Sequence, residues 1–327
     1  MLMPNFSYVR AKSLKDAIQH LSSEGSRIHA GGTDLLGCLR DDLFGAKKLI
    51  SLSQLNDLRG IRSMKDGGLR IGALTTIAEV AHQKIIQDRY PALAKAASEV
   101  ASPQLRNQGT LGGNICQKPR CWYYRGEFQC LRKGGEKCFA YKGENEFHCI
   151  FGSGGICYIV HPSDTAPVLV AYEAMVQVVG PKGTRRIPLE KFHVLPSDDV
   201  QKETVLKSNE ILTDIFLPPP MEGTRSSYRK VRTRRSWDFA LAGVALHLRF
   251  KGDRVERARV VLSGAAPVPW RSKEVEEVIT GRRLEPHTVA QAAEAAVKNA
   301  QPLEHNGYKV PLFRGLLEEE LLAIAKV

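Results

Sequence analysis

Ser102-Pro103-Gln104-Leu105-Arg106-Asn107-Gln108-Gly109-Thr110-Leu111-Gly112-Gly113-Asn114 gathers Gly109, Gly112 and Gly113 with Thr110 and Asn114 in one short run. Gly112 and Gly113 clear space for a flat ligand or a pyrophosphate to touch the main chain, while Thr110 and Asn114 offer side-chain hydrogen bonds. Earlier in the chain, Ala30-Gly31-Gly32-Thr33-Asp34 pairs two glycines with a hydroxyl and with backbone N–H groups suited to phosphate oxygens, and it runs into the apolar Leu35-Leu36. Neither loop has Walker A spacing or the usual dinucleotide fingerprint, and a plain turn needs the same residues. Together they can clamp one diphosphate. Arg106 serves equally well as its charge partner or as one end of a structural salt bridge.

Working outward, Ser13 with Asp16 reads as a capping box ahead of Leu14, Ala17, Ile18 and Leu21 at helical spacing. Arg27 to Ala30, Leu49 to Leu52 and Leu69 to Ala73 read as strands. Thr75 and Thr76 cap a helix through Ala81, and Pro91 to Val100 is an alanine-rich helix. Met175, Gln177 and Val179 alternate before Gly180-Pro181-Lys182-Gly183, a turn that predicts a hairpin with Thr184 to Ile187. Ile211, Thr213, Ile215 and Leu217 alternate again until Pro218-Pro219-Pro220 stops the strand, and a domain boundary is placed there. Beyond it, Val244 to Phe250 pairs with Val255 to Leu262, and helices follow around Val275, Val289 to Val297 and Leu312 to Ile324.

With 43% hydrophobic and 25% charged residues, the chain has the balance of a folded globular protein rather than a disordered one. No stretch reaches the roughly 18 to 20 uncharged apolar residues of a membrane span, and Met1 to Arg10 lacks the apolar run of a signal peptide. A cytoplasmic location is expected, with export alongside a partner left open. The net charge of +12 is mostly dispersed. Its one dense cluster, Arg229 to Arg235, can face a phosphate, a partner or solvent, and an acidic partner or cofactor accounts for it better than nucleic acid. Of seven cysteines, Cys38 stands alone while Cys116, Cys121, Cys130, Cys138, Cys149 and Cys157 crowd one segment. Without a secretory signal, such crowding points to metal rather than disulfides. No paired carboxylates or nucleophile with its base suggest bond-breaking chemistry, so no catalytic residue is assigned.

The two glycine loops, the strand Ile71-Gly72-Ala73 and His161-Pro162-Ser163-Asp164 resemble, in order and over nearly the whole chain, the FAD subunit of the xanthine dehydrogenase family of molybdenum hydroxylases. The resemblance implies an α+β chain: a two-subdomain vanillyl-alcohol-oxidase-like FAD-binding fold, then a small α/β domain of sheet and helices. The implied bounds are about 1–57 and 58–222 for the subdomains and 223–327 for the last domain. FAD contact is carried over to Ala30, Gly31, Gly32, Thr33, Asp34, Leu35, Ser102, Thr110, Gly112, Gly113 and Asn114. It also extends to Ser163 and Asp164 near the second loop, to Leu212 against the flavin, and to Lys230 in Tyr228-Arg229-Lys230. The implied role is electron transfer beside a molybdopterin-containing large subunit and a 2Fe-2S small subunit, with a soluble acceptor or donor. The ferredoxin-type cysteine pattern of the 2Fe-2S clusters is absent from this chain, which fits a division among subunits.

The segment 117–160 is an insertion relative to the plain family pattern. It resembles the insertion in the flavin subunits of 4-hydroxybenzoyl-CoA reductase and bacterial molybdenum aldehyde oxidoreductases, where four cysteines hold a 4Fe-4S cluster. By that resemblance Cys121, Cys130, Cys138 and Cys157 are the ligands, and Cys116 and Cys149 are left over. Zinc would accept the same four thiolates, and spacing alone does not separate the two metals. A zinc-stabilised nucleic-acid-binding or scaffold protein is the alternative from another class. His148, between Phe147 and Ile150, reads as a packed or hydrogen-bonding residue rather than a ligand, and Trp122, Tyr123 and Tyr124 read as shielding aromatics.

Overall fold

A computed structural model of the chain describes residues 3–326. The first segment alternates strand and helix: β1 (Ser7–Arg10), α1 (Leu14–Leu21), β2 (Ser26–His29), α2 (Leu35–Arg40) and β3 (Lys48–Ser51). The three strands form a parallel sheet in the order β1-β3-β2. Parallel neighbours need long crossovers, and the helices supply them. At α1, Ser13 Oγ accepts from Asp16 N at 3.1 Å, but the Asp16 carboxylate accepts from Lys12 N rather than from Ser13, so only half of the expected capping box forms. β2 ends one residue earlier than expected, which leaves Ala30 at the start of the first glycine loop.

The second segment contains β4 (Ile61–Ser63), β5 (Leu69–Gly72), α3 (Ile77–His82), α4 (Lys84–Arg89), α5 (Pro91–Glu99), α6 (Pro103–Gln108), α7 (Leu111–Ile115), α8 (Trp122–Arg125), α9 (Thr165–Ala171), β6 (Met175–Gly180), β7 (Gly183–Pro188) and β8 (Ile211–Leu217). Its antiparallel sheet runs β4-β5-β8-β6-β7. The alternation in β8 predicts one wet face, yet all seven positions are buried. β8 is the middle strand, and its polar residues are satisfied inside: Asp214 pairs with Arg70 at 2.6 Å and accepts from Gln177 at 3.0 Å. Ile71, Ile77, Leu93, Leu111, Val168, Val176 and Ile215 belong to the core between this sheet and its helices.

The third segment is a four-stranded antiparallel sheet, β9 (Thr224–Val231), β10 (Ala242–Lys251), β11 (Arg254–Ser263) and β12 (Trp270–Arg271), with α10 (Lys273–Ile279), α11 (Pro286–Val297) and α12 (Lys309–Ala325) packed on it. β10 and β11 make the expected hairpin, and the three helices fall where the sequence places them. β9, within which Arg229 and Lys230 lie, has no sequence signal comparable to its neighbours. Its presence accounts for those cations: Arg229 pairs with Glu319 at 2.6 Å, Lys230 with Asp164 at 2.7 Å, and Arg232, just beyond the strand, with Glu99 at 2.6 Å. Three members of the basic cluster are thus committed to partners within the chain. Among the described residues no helix is long and apolar enough to cross a membrane.

Candidate functional site

The second glycine loop hangs from the end of β5. Leu111 N donates to Thr75 O at 2.8 Å, Gly112 N to Ala73 O at 2.9 Å, and Ile77 N to Gly109 O at 2.9 Å. Thr76 sits at the hinge as the N-cap of α3, in a complete capping box with Glu79. α7 then starts on Thr110, whose Oγ1 accepts from Gly113 N at 3.2 Å. The N–H groups of residues 111 to 114 are therefore taken within the chain, and this loop offers close approach and side-chain hydroxyl or amide groups rather than free main-chain donors.

The first loop lies against the second. A Cβ at Gly31 would stand 2.0 Å from Gln108 O, so only glycine lets the two backbones meet there. Gly32 has φ of +74°, in the left-handed region that favours glycine. Asp34 is the N-cap of α2 but makes no cap hydrogen bond. Its carboxylate instead pairs with Arg120 and Arg125, each at 2.8 Å, and accepts from Lys118 N at 2.7 Å. Burial pushes the Asp34 carboxyl up, but Arg120 and Arg125 outweigh it and hold the group below the usual carboxylate range. Asp34 therefore pins the first loop to the cysteine insertion.

Between the loops opens a cavity of about 650 Å³. Ala30, Gly31, Gly32, Thr33, Asp34 and Leu35 line it from one side, and Thr110, Gly112, Gly113 and Leu212 from the other. Ile28, Leu52, Leu74 and Ile211 add apolar lining, while Arg27, Lys118, Arg132 and Lys133 bring positive charge to the walls. Sequence reading missed these. The apolar four look like ordinary strand and core residues, and the cations are scattered through 327 positions without a motif.

Other expected contacts lie outside the cavity. Ser102 caps α6 and accepts from Leu105 N at 3.4 Å. Asn114 accepts from Ser163 Oγ at 2.5 Å and Thr165 Oγ1 at 2.7 Å, which joins the second loop to α9. Asp164 and Lys230 form a buried pair that also takes in Tyr228, whose hydroxyl donates to Asp164 at 2.8 Å. Burial raises the Asp164 carboxyl, with Lys230 opposing the shift.

The four expected metal ligands line one small cavity: Cys121, Cys130, Cys138 and Cys157, with Tyr123, Tyr124, Leu131, Arg132, Phe139, His148, Tyr158 and Ile159 around them. Local backbone explains how. Leu131 N donates to Lys137 O and Gly135 N to Cys130 O, which fold the Cys130–Cys138 loop back on itself. Cys157 closes the turn begun at Ser153, its N–H reaching Ser153 O at 3.3 Å. Hydrogen bonding between the thiols of Cys138 and Cys157 pulls Cys138 below the usual thiol range and, with burial, pushes Cys157 above it. Among the described residues no three His, Cys, Asp or Glu side chains are gathered tightly enough to hold a single ion. Cys149 is fully buried, lines neither cavity, and is pushed up to about 12 by burial. Cys116 lines the larger cavity, and burial likewise raises it to about 12.

Comparison with known proteins gives the family. Residues 4–220 match the FAD binding domain in molybdopterin dehydrogenase, and residues 226–324 match the CO dehydrogenase flavoprotein C-terminal domain. The aldehyde oxidoreductase FAD-binding subunit of Escherichia coli (strain K12) is 33% identical over 98% of this chain and 98% of its own length. The carbon monoxide dehydrogenase medium chain of Hydrogenophaga pseudoflava is 29% identical over 93% of this chain and 90% of its own. A solved structure of carbon monoxide dehydrogenase from Hydrogenophaga pseudoflava, lacking the Mo-pyranopterin moiety of the molybdenum cofactor, matches with a TM-score of 0.79 at 28% identity, over 99% of this chain and 98% of that one. The chain therefore belongs to the FAD-binding medium subunits of the xanthine dehydrogenase and carbon monoxide dehydrogenase family of molybdenum hydroxylases, and is an oxidoreductase flavoprotein subunit.

Proposed function

We propose that the FAD diphosphate lies between the two glycine loops and that Cys121, Cys130, Cys138 and Cys157 hold a 4Fe-4S cluster beside it. The carrying observation for the flavin is the single cavity lined by both loops. In this reading the N-terminal end of α2, left without a side-chain cap, faces the phosphates, and Thr110, on the cavity wall, adds a polar contact, while Asn114 braces the loop from behind through Ser163 and Thr165. Ser102, Ser163, Asp164 and Lys230 act through the loops, as the cap of α6 and as the polar core that joins the second loop to α9 and β9. The cluster reading is supported by four thiols around one cavity and by Arg132 on the cavity wall.

FAD supplies the exchange between one-electron centres and a two-electron acceptor. The chain's own part is to position and insulate. Asp34 ties the first loop to the insertion through Arg120 and Arg125, so the flavin loop and the thiol cavity are held as one rigid piece. We further propose that this subunit works with a molybdopterin-containing large subunit and a 2Fe-2S small subunit, exchanges electrons with a soluble partner, and divides near residues 57 and 222. The test is gentle purification of the native protein: retention of two further subunit types is expected, and a monomer that turns over an organic substrate by itself would overturn the assembly.

A further inference from the structure

His148 stands in the wall between two cavities. One is the thiol cavity; the other, about 180 Å³, is lined by Trp122, Phe147, His161 and Phe239 among others, and only Cys121 and His148 line both. His148 Nε2 is 3.2 Å from Cys121 Sγ. The side chain is buried, and its other ring nitrogen, Nδ1, has no hydrogen-bond partner. An imidazole kept in the interior with one nitrogen unpaired needs a compensating contact on the other, and the contact present is with sulfur.

The position of the ring is set from a distance. His148 N donates to Asn145 O at 3.0 Å, and Asn306 Nδ2 donates to His148 O at 3.1 Å and to Cys149 O at 3.2 Å. Lys309, fully buried at the start of α12, donates to Phe147 O at 3.4 Å and Gly264 O at 2.9 Å. The C-terminal segment thus clamps the main chain on both sides of His148. The rings of Trp122 and Tyr123 flank the imidazole at centroid distances of 6.5 and 6.2 Å.

We propose that His148 is a positioning residue whose Nε2–H donates to Cys121 Sγ and holds the reduction potential of the bound cluster above the value four unassisted thiolates would give. This inference rests on the reading of Cys121, Cys130, Cys138 and Cys157 as cluster ligands. A thiolate bound to iron has no proton to give, so the hydrogen in the contact comes from the imidazole. Each added electron increases negative charge on the sulfurs and strengthens the N–H···S attraction, so the reduced state gains more than the oxidised one. Outer-shell donors of this kind tune metal centres without touching the metal.

The experiment is a potentiometric titration of the cluster, followed by paramagnetic resonance, in parent, His148→Phe and His148→Gln proteins, with iron and FAD measured first. Parent protein without iron overturns the cluster reading, and this inference with it, before any potential is compared. With iron present, His148→Phe keeps the ring volume and removes the donor. At a fixed ambient potential its cluster should be reduced about tenfold less, equivalent to about 59 mV for a one-electron couple. His148→Gln restores an N–H and should recover at least half of that shift, and FAD content should stay at the parent value in both. A fully loaded His148→Phe protein with the parent potential overturns the proposal. Loss of iron from both variants also overturns it, because the side chain would then be needed for assembly rather than for potential. If only His148→Phe loses iron, the glutamine variant decides: a potential near the parent's supports the donor role, and a potential as low as the tenfold shift refutes it.

Discussion

Gly113→Ala separates the ligand's needs from those of the fold. Gly113 is exposed in α7 on the cavity wall, and an added Cβ would meet only Thr110 Oγ1, at 3.0 Å. Replacing a helical glycine by alanine gains about 0.5–1 kcal/mol from backbone entropy. The tight contact with the Thr110 hydroxyl takes back part of that, so the apoprotein should stay within about 1 kcal/mol of the parent. In the FAD complex the methyl stands where the ligand approaches the backbone, and overpacking of this sort costs about 1–3 kcal/mol. FAD should therefore bind about 5- to 150-fold more weakly. Gly31→Ala is the contrast: its Cβ would stand 2.0 Å from a main-chain oxygen, so the apoprotein itself should be destabilised. The assay is flavin-fluorescence titration of the apoproteins beside their thermal melts. A Gly113→Ala protein with unchanged melting and parent FAD affinity would refute the placement of the diphosphate against the second loop.

Lys230→Met leaves the buried Asp164 carboxylate without its cation and should cost about 3–5 kcal/mol in denaturant unfolding, much of it recovered when Asp164→Asn is added; equal stability of the single and double variants would contradict the pair's role. Because the Asp34 carboxyl is held below its unfolded value near ~3.9, its contribution is fully present above that pH and is lost as pH falls through the folded value. FAD retention should accordingly fall below about pH 4, and Asp34→Asn should flatten this part of the profile while weakening retention near neutrality. Serine at Cys130 should empty the thiol cavity of iron with FAD retained, whereas serine at Cys149, fully buried and away from the cavity, should leave about four irons per chain; the reverse result would move the fourth ligand to Cys149.

Elements with local signals were legible in the sequence. Prolines mark the C-terminal end of β8, glycines and a proline mark the hairpin of β6 and β7, and capping residues mark α1 and α3. The alternation in β8 was seen, but its burial on both faces was not, because a central strand with Thr213 and Asp214 satisfied by distant Gln177 and Arg70 looks locally like a half-exposed one. β9 escaped notice because its residues Arg225, Ser226, Ser227 and Arg229 are polar, and only pairing with β10 makes them a strand. At the site, the two loops and the four cysteines could be picked out by residue type. Asp34 could not be read as a pin, since its partners Lys118, Arg120 and Arg125 lie far along the chain and carry no spacing signal. His148 is legible as a packed or hydrogen-bonding residue, but the sulfur it meets is not, because that contact depends on the fold of the insertion.

Iron and FAD content measured on one sample of the parent chain, expressed with an intact cluster-assembly supply and purified without oxygen, examines both proposed sites at once. One FAD per chain is expected, released by denaturation because neither glycine loop contains a histidine or cysteine to link it, together with about four irons. One FAD with zinc or no iron would remove the cluster and leave the flavin site standing, and a chain without FAD would contradict the account as a whole.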